Sequence, residues 1–184
     1  MRILGIAGSL RRDSHNRTLL RAAGALLPPG ATFQEWDGLA SLPAFDEDLE
    51  ATPPSAVRRF LEQVDRADAL LVATPEYNHS LPGALKNALD WASRPFPGNV
   101  LRGKPVLVVG ASTGLFGAVW AQAEVRKVLQ AAGAAPLEDE LPVGLADGAF
   151  DGEGRLAEPD LAARLASLVE ALAGAVDSPV AAGA

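Results

Sequence analysis

The residues Gly8-Ser9-Leu10-Arg11-Arg12-Asp13-Ser14-His15-Asn16 place two arginines, two serines and an asparagine within one short stretch. The apolar run Ile3-Leu4-Gly5-Ile6-Ala7 precedes them, and a helical pattern begins at Arg17-Thr18-Leu19-Leu20. A strand, a polar loop and a helix start form an anion site, because the first N–H groups of the helix and the positive end of its dipole face the loop. Ser9, Ser14 and Asn16 offer neutral donors, and Arg11 offers a charge-assisted fork. An ordinary βα turn with solvated arginines fits the same residues. Neither G-x-x-x-x-G-K-[ST] nor G-x-G-x-x-G follows the first apolar run. A nucleoside triphosphate and a dinucleotide are therefore disfavoured, and a monophosphate ligand is expected.

Two further stretches hold reactive groups. Pro75-Glu76-Tyr77-Asn78-His79-Ser80 contains a carboxylate able to act as a general base, a tyrosine able to stack or donate, and a histidine that reads as a solvated loop residue. Lys86 and Asp90 are spaced as an ordinary pair on a helix surface. Gly110-Ala111-Ser112-Thr113-Gly114 matches the G-x-S-x-G nucleophile elbow. Its triad needs a histidine further along the chain, and none follows His79, so an esterase is disfavoured.

Composition narrows the classes. The chain has 184 residues, enough for one domain with a sizeable core and no staples. The formal net charge of −7 argues against broad contact with nucleic acid or an anionic membrane, while Arg11, Arg12, Arg17 and Arg21 leave room for a local basic pocket. With no cysteine, disulfides and thiolate chemistry are excluded, so redox chemistry has to come from a bound cofactor. The two histidines, His15 and His79, are far apart, which disfavours a histidine-rich metal site. No secretory leader or membrane-length apolar run is visible, and a cytoplasmic location is expected.

These loops must be carried by strands. Apolar runs without alternation, at about 2–7, 68–74 and 104–110, read as strands buried on both faces. A more polar strand at about 31–36 reads as a sheet edge, and a fifth is expected at 137–143. Helices are expected at about 14–27, from a Thr52 cap opened by Pro53, from a Ser80 cap to Trp91, up to about Ala132 before Gly133, and from Pro159. The connection Asp37–Thr52 reads either as a lid or subunit contact, or as a surface loop pinned by Leu42 and Phe45. Alternating strands and helices indicate an α/β doubly wound three-layer sandwich with a five-stranded parallel sheet in the order 2-1-3-4-5. Ligands then bind outside the strand ends, at the switch between the first and third strands. The domain is expected to span 1–175, with a flexible tail at 176–184.

Three motifs carry a resemblance: G-S-L-R-R-D-S-H-N (8–16), T-P-E-Y-N-H-S-L-P-G-A-L-K-N-A-L-D-W (74–91) and G-A-S-T-G-L-F-G (110–117). Together with L-P-A-F-D-E-D-L-E (42–50), they resemble the NADPH-dependent FMN reductases, the flavodoxin-like group that includes quinone, chromate and azo-dye reductases. The resemblance implies bound FMN and NADPH or NADH as co-substrate. It also implies ping-pong hydride transfer to a small-molecule acceptor such as a quinone, chromate, an azo compound or free flavin. By match, Ser9, Arg11, Ser14 and Asn16 hold the FMN phosphate. Pro75, Glu76, Tyr77 and Asn78 line the flavin ring, largely through backbone groups, and Ser112 and Gly114 border it. No side chain is expected to be catalytic. The family implies a homodimer or homotetramer. A non-enzymatic electron carrier of flavodoxin type is the alternative, although the arginine in the first loop is foreign to it.

Overall fold

The computed structural model describes residues 1–177. Parallel strands β1 (Arg2–Ala7), β2 (Thr32–Trp36), β3 (Ala69–Thr74) and β4 (Pro105–Ala111) form the sheet, followed by the short segments β5 (Ala135–Pro136) and β6 (Pro142–Val143). The order is β2-β1-β3-β4-β5, with β6 also paired to β4. The helices are α1 (His15–Gly24), α2 (Ser55–Arg66), α3 (Gly83–Ala92), α4 (Val119–Ala131) and α5 (Pro159–Asp177).

The unbroken apolar runs become central strands because both of their faces are covered. Leu4, Ile6, Leu70, Val72, Val106 and Val108 pack with α2, α3 and α4. Their neighbours Ile3, Leu71, Ala73, Leu107 and Val109 pack with α1 and α5 on the opposite side. Successive strand side chains point to opposite faces, so a one-residue slip of any central strand would move its side chains between the two cores. The more polar β2 occupies one edge. The register places Ala7 opposite Ala73 and Thr74 opposite Gly110. The chain therefore leaves β1, β3 and β4 at one level, and their three loops emerge side by side.

The connection 37–52 is a surface segment pinned to the core. Leu39 and Leu42 are buried, and Phe45 meets Trp91 edge-on at 4.9 Å. The Pro43 carbonyl accepts from Trp91 Nε1 and Asn87 Nδ2, each at 2.9 Å, and the Phe45 N–H donates to Asn87 Oδ1 at 2.7 Å. Both turns of 3₁₀ helix in this segment are short, Gly38–Ser41 and Glu47–Leu49.

Several expected boundaries move. α1 ends at Gly24, which leaves Leu26 exposed. α2 starts after Pro54 and α3 after Pro82, so neither Thr52 nor Ser80 caps a helix. The fifth strand is split in two. Between β5 and β6 the acidic residues swing outward, with Glu140 pairing Arg126 at 2.7 Å, and Gln122 Oε1 takes the Leu141 N–H at 3.1 Å. Val176 and Asp177, expected in a tail, are the last residues of α5, and 178–184 lie outside the described residues. No described helix is long and apolar enough to cross a membrane.

Candidate active site

The three loops converge on one cleft. Ser9, Arg11, Ser14, His15, Asn16, Pro75, Glu76, Tyr77, Ser112 and Thr113 line it, with Ala111 at its floor. The first and second loops touch closely. A Cβ on Gly8 would stand 3.0 Å from the Leu85 side chain and 3.2 Å from the Pro75 ring, tighter than ordinary contact, so glycine lets the two loops meet closely. On the other side Gly117, at φ +57°, lies against the backbone of Pro142, where a Cβ would be 2.4 Å from its carbonyl carbon. Any side chain there would push the third loop off β6.

The first loop gathers hydrogen-bond donors at the start of α1. Ser14 caps α1, its Oγ accepting from the Arg17 N–H at 3.3 Å. The Ser9 Oγ accepts from the Arg11 N–H at 3.3 Å. Both serines are buried, and both hydroxyls accept in these bonds, so each keeps its own hydrogen to donate. The N–H groups of His15 and Asn16, in the first turn of α1, have no partner among the described residues. Arg11 is exposed and has no ion-pair partner among the described residues. Arg17 and Arg21 belong elsewhere, both pairing Glu35 on β2 at 3.0 and 2.7 Å, so the basic pocket expected from four arginines is smaller.

Asn16 has a different position from a free donor. Its Nδ2 donates to the Ala111 carbonyl at 2.8 Å and its Oδ1 accepts the Ala111 N–H at 2.9 Å. The side chain thereby fixes α1 to the end of β4, and the group it leaves at the cleft is its own backbone N–H. Glu76 is likewise committed. Its Oε2 accepts from the N–H groups of Trp120 and Ala121, both at 3.1 Å, in the first turn of α4. The helix lacks a side-chain cap of its own, and Glu76 satisfies its orphan donors from the neighbouring loop. Glu124 ties the loop back from α4 by accepting from the Ser80 hydroxyl and, at 3.4 Å, from the Leu81 N–H.

Between these anchors the second loop makes a two-residue turn. Tyr77 and Ser80 exchange backbone hydrogen bonds of 3.0 and 3.1 Å. Asn78 and His79 between them have φ of 53° and 59°, as in a type I′ turn. Asn78 is at the turn's tip and Gly114 lies beyond Ser112, so neither lines the cleft itself. The Gly114 N–H donates to Ser112 Oγ at 3.0 Å. His79 is exposed, 3.6 Å from Glu76 Oε1 and edge-on to Trp120. A shallow groove lined by Gly8, Leu10, Arg11, Tyr77, Pro82, Gly83 and Ala84 continues from the cleft.

The sequence gives no hint that His15 enters the site with an acid partner. His15 Nε2 lies 3.0 Å from Oδ1 of Asp147. His15 thus lines the same cleft as Ser112, with its acid partner Asp147 exposed outside the lining. Among the described residues no serine hydroxyl is hydrogen-bonded to His15, so the nucleophile–base contact of a hydrolase is missing. No described cluster of His, Asp or Glu is arranged to hold a metal ion. A roomier groove of ≈ 940 Å³ between α1 and residues 151–157 has its charges already paired, Arg21 with Glu35 and Arg155 with Asp151.

The sequence model of NADPH-dependent FMN reductases matches residues 1–148, which contain all three loops. The chain belongs to this family. An NAD(P)H-dependent FMN reductase of Pseudomonas aeruginosa is 47% identical over 158 residues, covering 85% of this chain and 84% of the relative. A 2-hydroxy-1,4-benzoquinone reductase of a Burkholderia species is 44% identical over 128 residues, covering 70% and 69%. Among solved structures, the flavoenzyme NAD(P)H:(acceptor) oxidoreductase of Paracoccus denitrificans superposes with a TM-score of 0.84 at 33% identity, covering 97% of this chain and 98% of that one. As a member of the FMN reductase family the chain is an oxidoreductase, with FMN as cofactor and NAD(P)H as co-substrate.

Proposed function

We propose that the chain is a quinone reductase that holds FMN by its phosphate in the first loop and works by ping-pong kinetics, with chromate, azo compounds and free flavin as further acceptors. The observation that carries this reading is the donor set of one cleft: two buried serine hydroxyls, two free N–H groups at a helix N-terminus, and an unpaired arginine. All are donors, as a phosphate requires. The cleft volume of ≈ 110 Å³ suits a phosphate group and is far below the ~300–1,000 Å³ of a pocket that encloses a whole small ligand. The flavin ring would then need room beyond the cleft, and Pro75, Glu76, Tyr77, Asn78, Ser112 and Gly114 are the residues that would border it by likeness to the family.

When bound, FMN supplies hydride transfer between the nicotinamide and an acceptor. The chain's residues bind and orient. Ser9, Arg11, Ser14 and the Asn16 N–H fix the phosphate end. The turn at Asn78–His79, clamped by Glu76 and Glu124 to α4, holds the loop backbone rigid where the ring lies. No side chain is assigned a proton, since Glu76, the carboxylate in the second loop, is engaged by α4. Residues 75–78, Ser112 and Gly114 would leave room for nicotinamide and acceptor to use one site in turn, which is the basis of the proposed ping-pong pattern.

The reading includes a homodimer or homotetramer, supported by Leu115, Phe116, Trp120 and Tyr77, large apolar side chains exposed around the cleft mouth. It also includes a cytoplasmic location, where NAD(P)H is supplied, and a single domain that takes in α5 to Asp177. The test is anaerobic addition of NADPH to protein loaded with FMN. Rapid bleaching of the flavin absorbance and its return with a quinone support the reading. A protein that cannot be loaded with FMN sinks it, and slow bleaching with one-electron partners only favours the carrier alternative.

A further inference from the structure

One hydrogen-bonded pair beside the cleft, His15 and Asp147, has no part in the reading above. His15 opens α1 and lines the cleft together with Ser9, Arg11 and Ser14. Its ring is fixed from two sides. Nε2 lies 3.0 Å from Asp147 Oδ1, and the ring stacks on Phe150 with centroids 6.3 Å apart and planes 3° from parallel. Asp147 stands on a segment already fastened to the third loop, where the N–H groups of Leu145 and Ala146 donate to the carbonyls of Gly114 and Ser112 at 3.0 and 3.1 Å. The His15–Asp147 contact closes this circuit back to the first loop, 132 residues away.

The position is electrostatically unusual. A cation in the first turn opposes the helix dipole, so an imidazolium there needs anionic company. Asp147 provides some of it, but Asp147 is 82% exposed and screened by water. A phosphate held at the free N–H groups of the first turn would bring a second anion to the same residue. With Nε2–H directed at Asp147, the other ring nitrogen is the one left to gain a proton, and it has no partner among the described residues. The other charged groups around the ring are fixed in role. Arg11 on the first loop is always cationic, and Glu76 on the second loop is held by α4.

We propose that His15 is a proton-linked counter-charge for the FMN phosphate: binding of the phosphate draws one proton from solvent onto His15, and Asp147 holds the ring in the tautomer that receives it. The inference rests on the FMN reading of the cleft. Its sign follows directly. FMN is held more tightly in the protonated state, so the contribution of His15 is present at mildly acidic pH and lost as pH rises through the range where imidazole discharges. The titration of the phosphate itself is common to every variant and cancels in a comparison.

The experiment titrates FMN-free protein with FMN, by quenching of flavin fluorescence between about pH 5.5 and 8, for the wild type and His15→Gln. Calorimetry in two buffers of different ionisation enthalpy counts protons taken up. The wild type is expected to take up more protons than His15→Gln, which binds FMN about tenfold more weakly near pH 6 and within about twofold near pH 8. The surface variant Asp147→Asn should lie between them and covers the case in which His15→Gln does not fold. Riboflavin, which lacks the phosphate, should bind with no dependence on His15. Equal pH profiles and equal proton uptake in wild type and both variants overturn the proposal, as does an equal dependence for riboflavin. If the wild type binds FMN at no pH, the FMN reading itself fails; FMN binding without His15-linked protons defeats the present inference alone.

Discussion

Asn16 bonds both backbone groups of Ala111, giving Nδ2–H to its carbonyl at 2.8 Å and taking its N–H at 2.9 Å. Asn16 and Ala111 are both buried, so no water stands ready to replace either bond. Asn16→Ala would leave two buried backbone groups unsatisfied, at ~1–3 kcal/mol each. The expected loss of stability is about 2–5 kcal/mol, read from urea unfolding. Asn16→Asp should destabilise as well, because a carboxylate cannot donate to the Ala111 carbonyl, and lowering the pH should restore part of the loss. A variant with wild-type stability would show that the end of β4 does not depend on this amide.

Arg11 differs from Arg17 and Arg21 in having no carboxylate partner among the described residues. Replacing it with Ala should remove a charge-assisted bond to the phosphate and weaken FMN binding by about 1.5–3 kcal/mol, roughly 10–150-fold. Unfolding should be unaffected, since the side chain is exposed. Arg17→Ala makes the matched control. Arg17 pairs Glu35 at 3.0 Å, and its loss should leave FMN affinity within about threefold. Equal losses of affinity in the two variants would mean that the loop acts through general positive charge rather than through a placed fork.

The contrast between these residues shows what was legible in the chain. The buried strands were readable because Leu70–Ala73 and Val106–Val109 have no polar position, which only a doubly covered sheet accepts. The order of the strands then brought the three polar loops together. Roles within the cleft were less legible, because an amide that donates to a ligand and one that donates to a strand end look alike in sequence. Asn16 meets Ala111 across 95 residues, Glu76 meets Trp120 across 44, and His15 meets Asp147 across 132. Local spacing holds no trace of such contacts. The division of the fifth strand also escaped, because Glu138, Asp139 and Glu140 weaken a strand pattern without saying that pairing to β4 resumes at Pro142.

The acid stability of the loop after β6 should depend on Asp151. Hydrogen bonds from the Arg155 backbone and side chain, aided by the Glu153 N–H, hold its carboxyl below the usual carboxylate range. A folded-state value below the unfolded one gives stability that is present above the unfolded value, near pH 4, and is lost as pH falls through the folded one. Asp151→Asn should therefore flatten the acid limb of the stability curve, falling slightly below the wild type above about pH 4 and converging with it in acid. The check is thermal unfolding of both proteins across that range. Identical acid limbs would show that the bonds to Arg155 persist no longer in the folded state than in the unfolded one.

Glu76 allows the positioning role to be separated from proton transfer. Its carboxylate bonds the N–H groups of Trp120 and Ala121, and its side chain is 13% exposed. Glu76→Gln keeps an acceptor for α4 but cannot serve as a base. If the role is to cap the helix, turnover should stay within about threefold of the wild type, with a small loss of stability from the weaker interaction with the helix dipole. Glu76→Ala leaves two donors without a partner, and about 1–2 kcal/mol of stability should go with the cap. FMN affinity should fall with it, because α4 then no longer braces the loop beneath the ring. A general base would give another pattern: Glu76→Gln folded and loaded with FMN, yet slower by ~100-fold or more. Steady-state turnover of the Gln variant at matched FMN occupancy distinguishes the two roles.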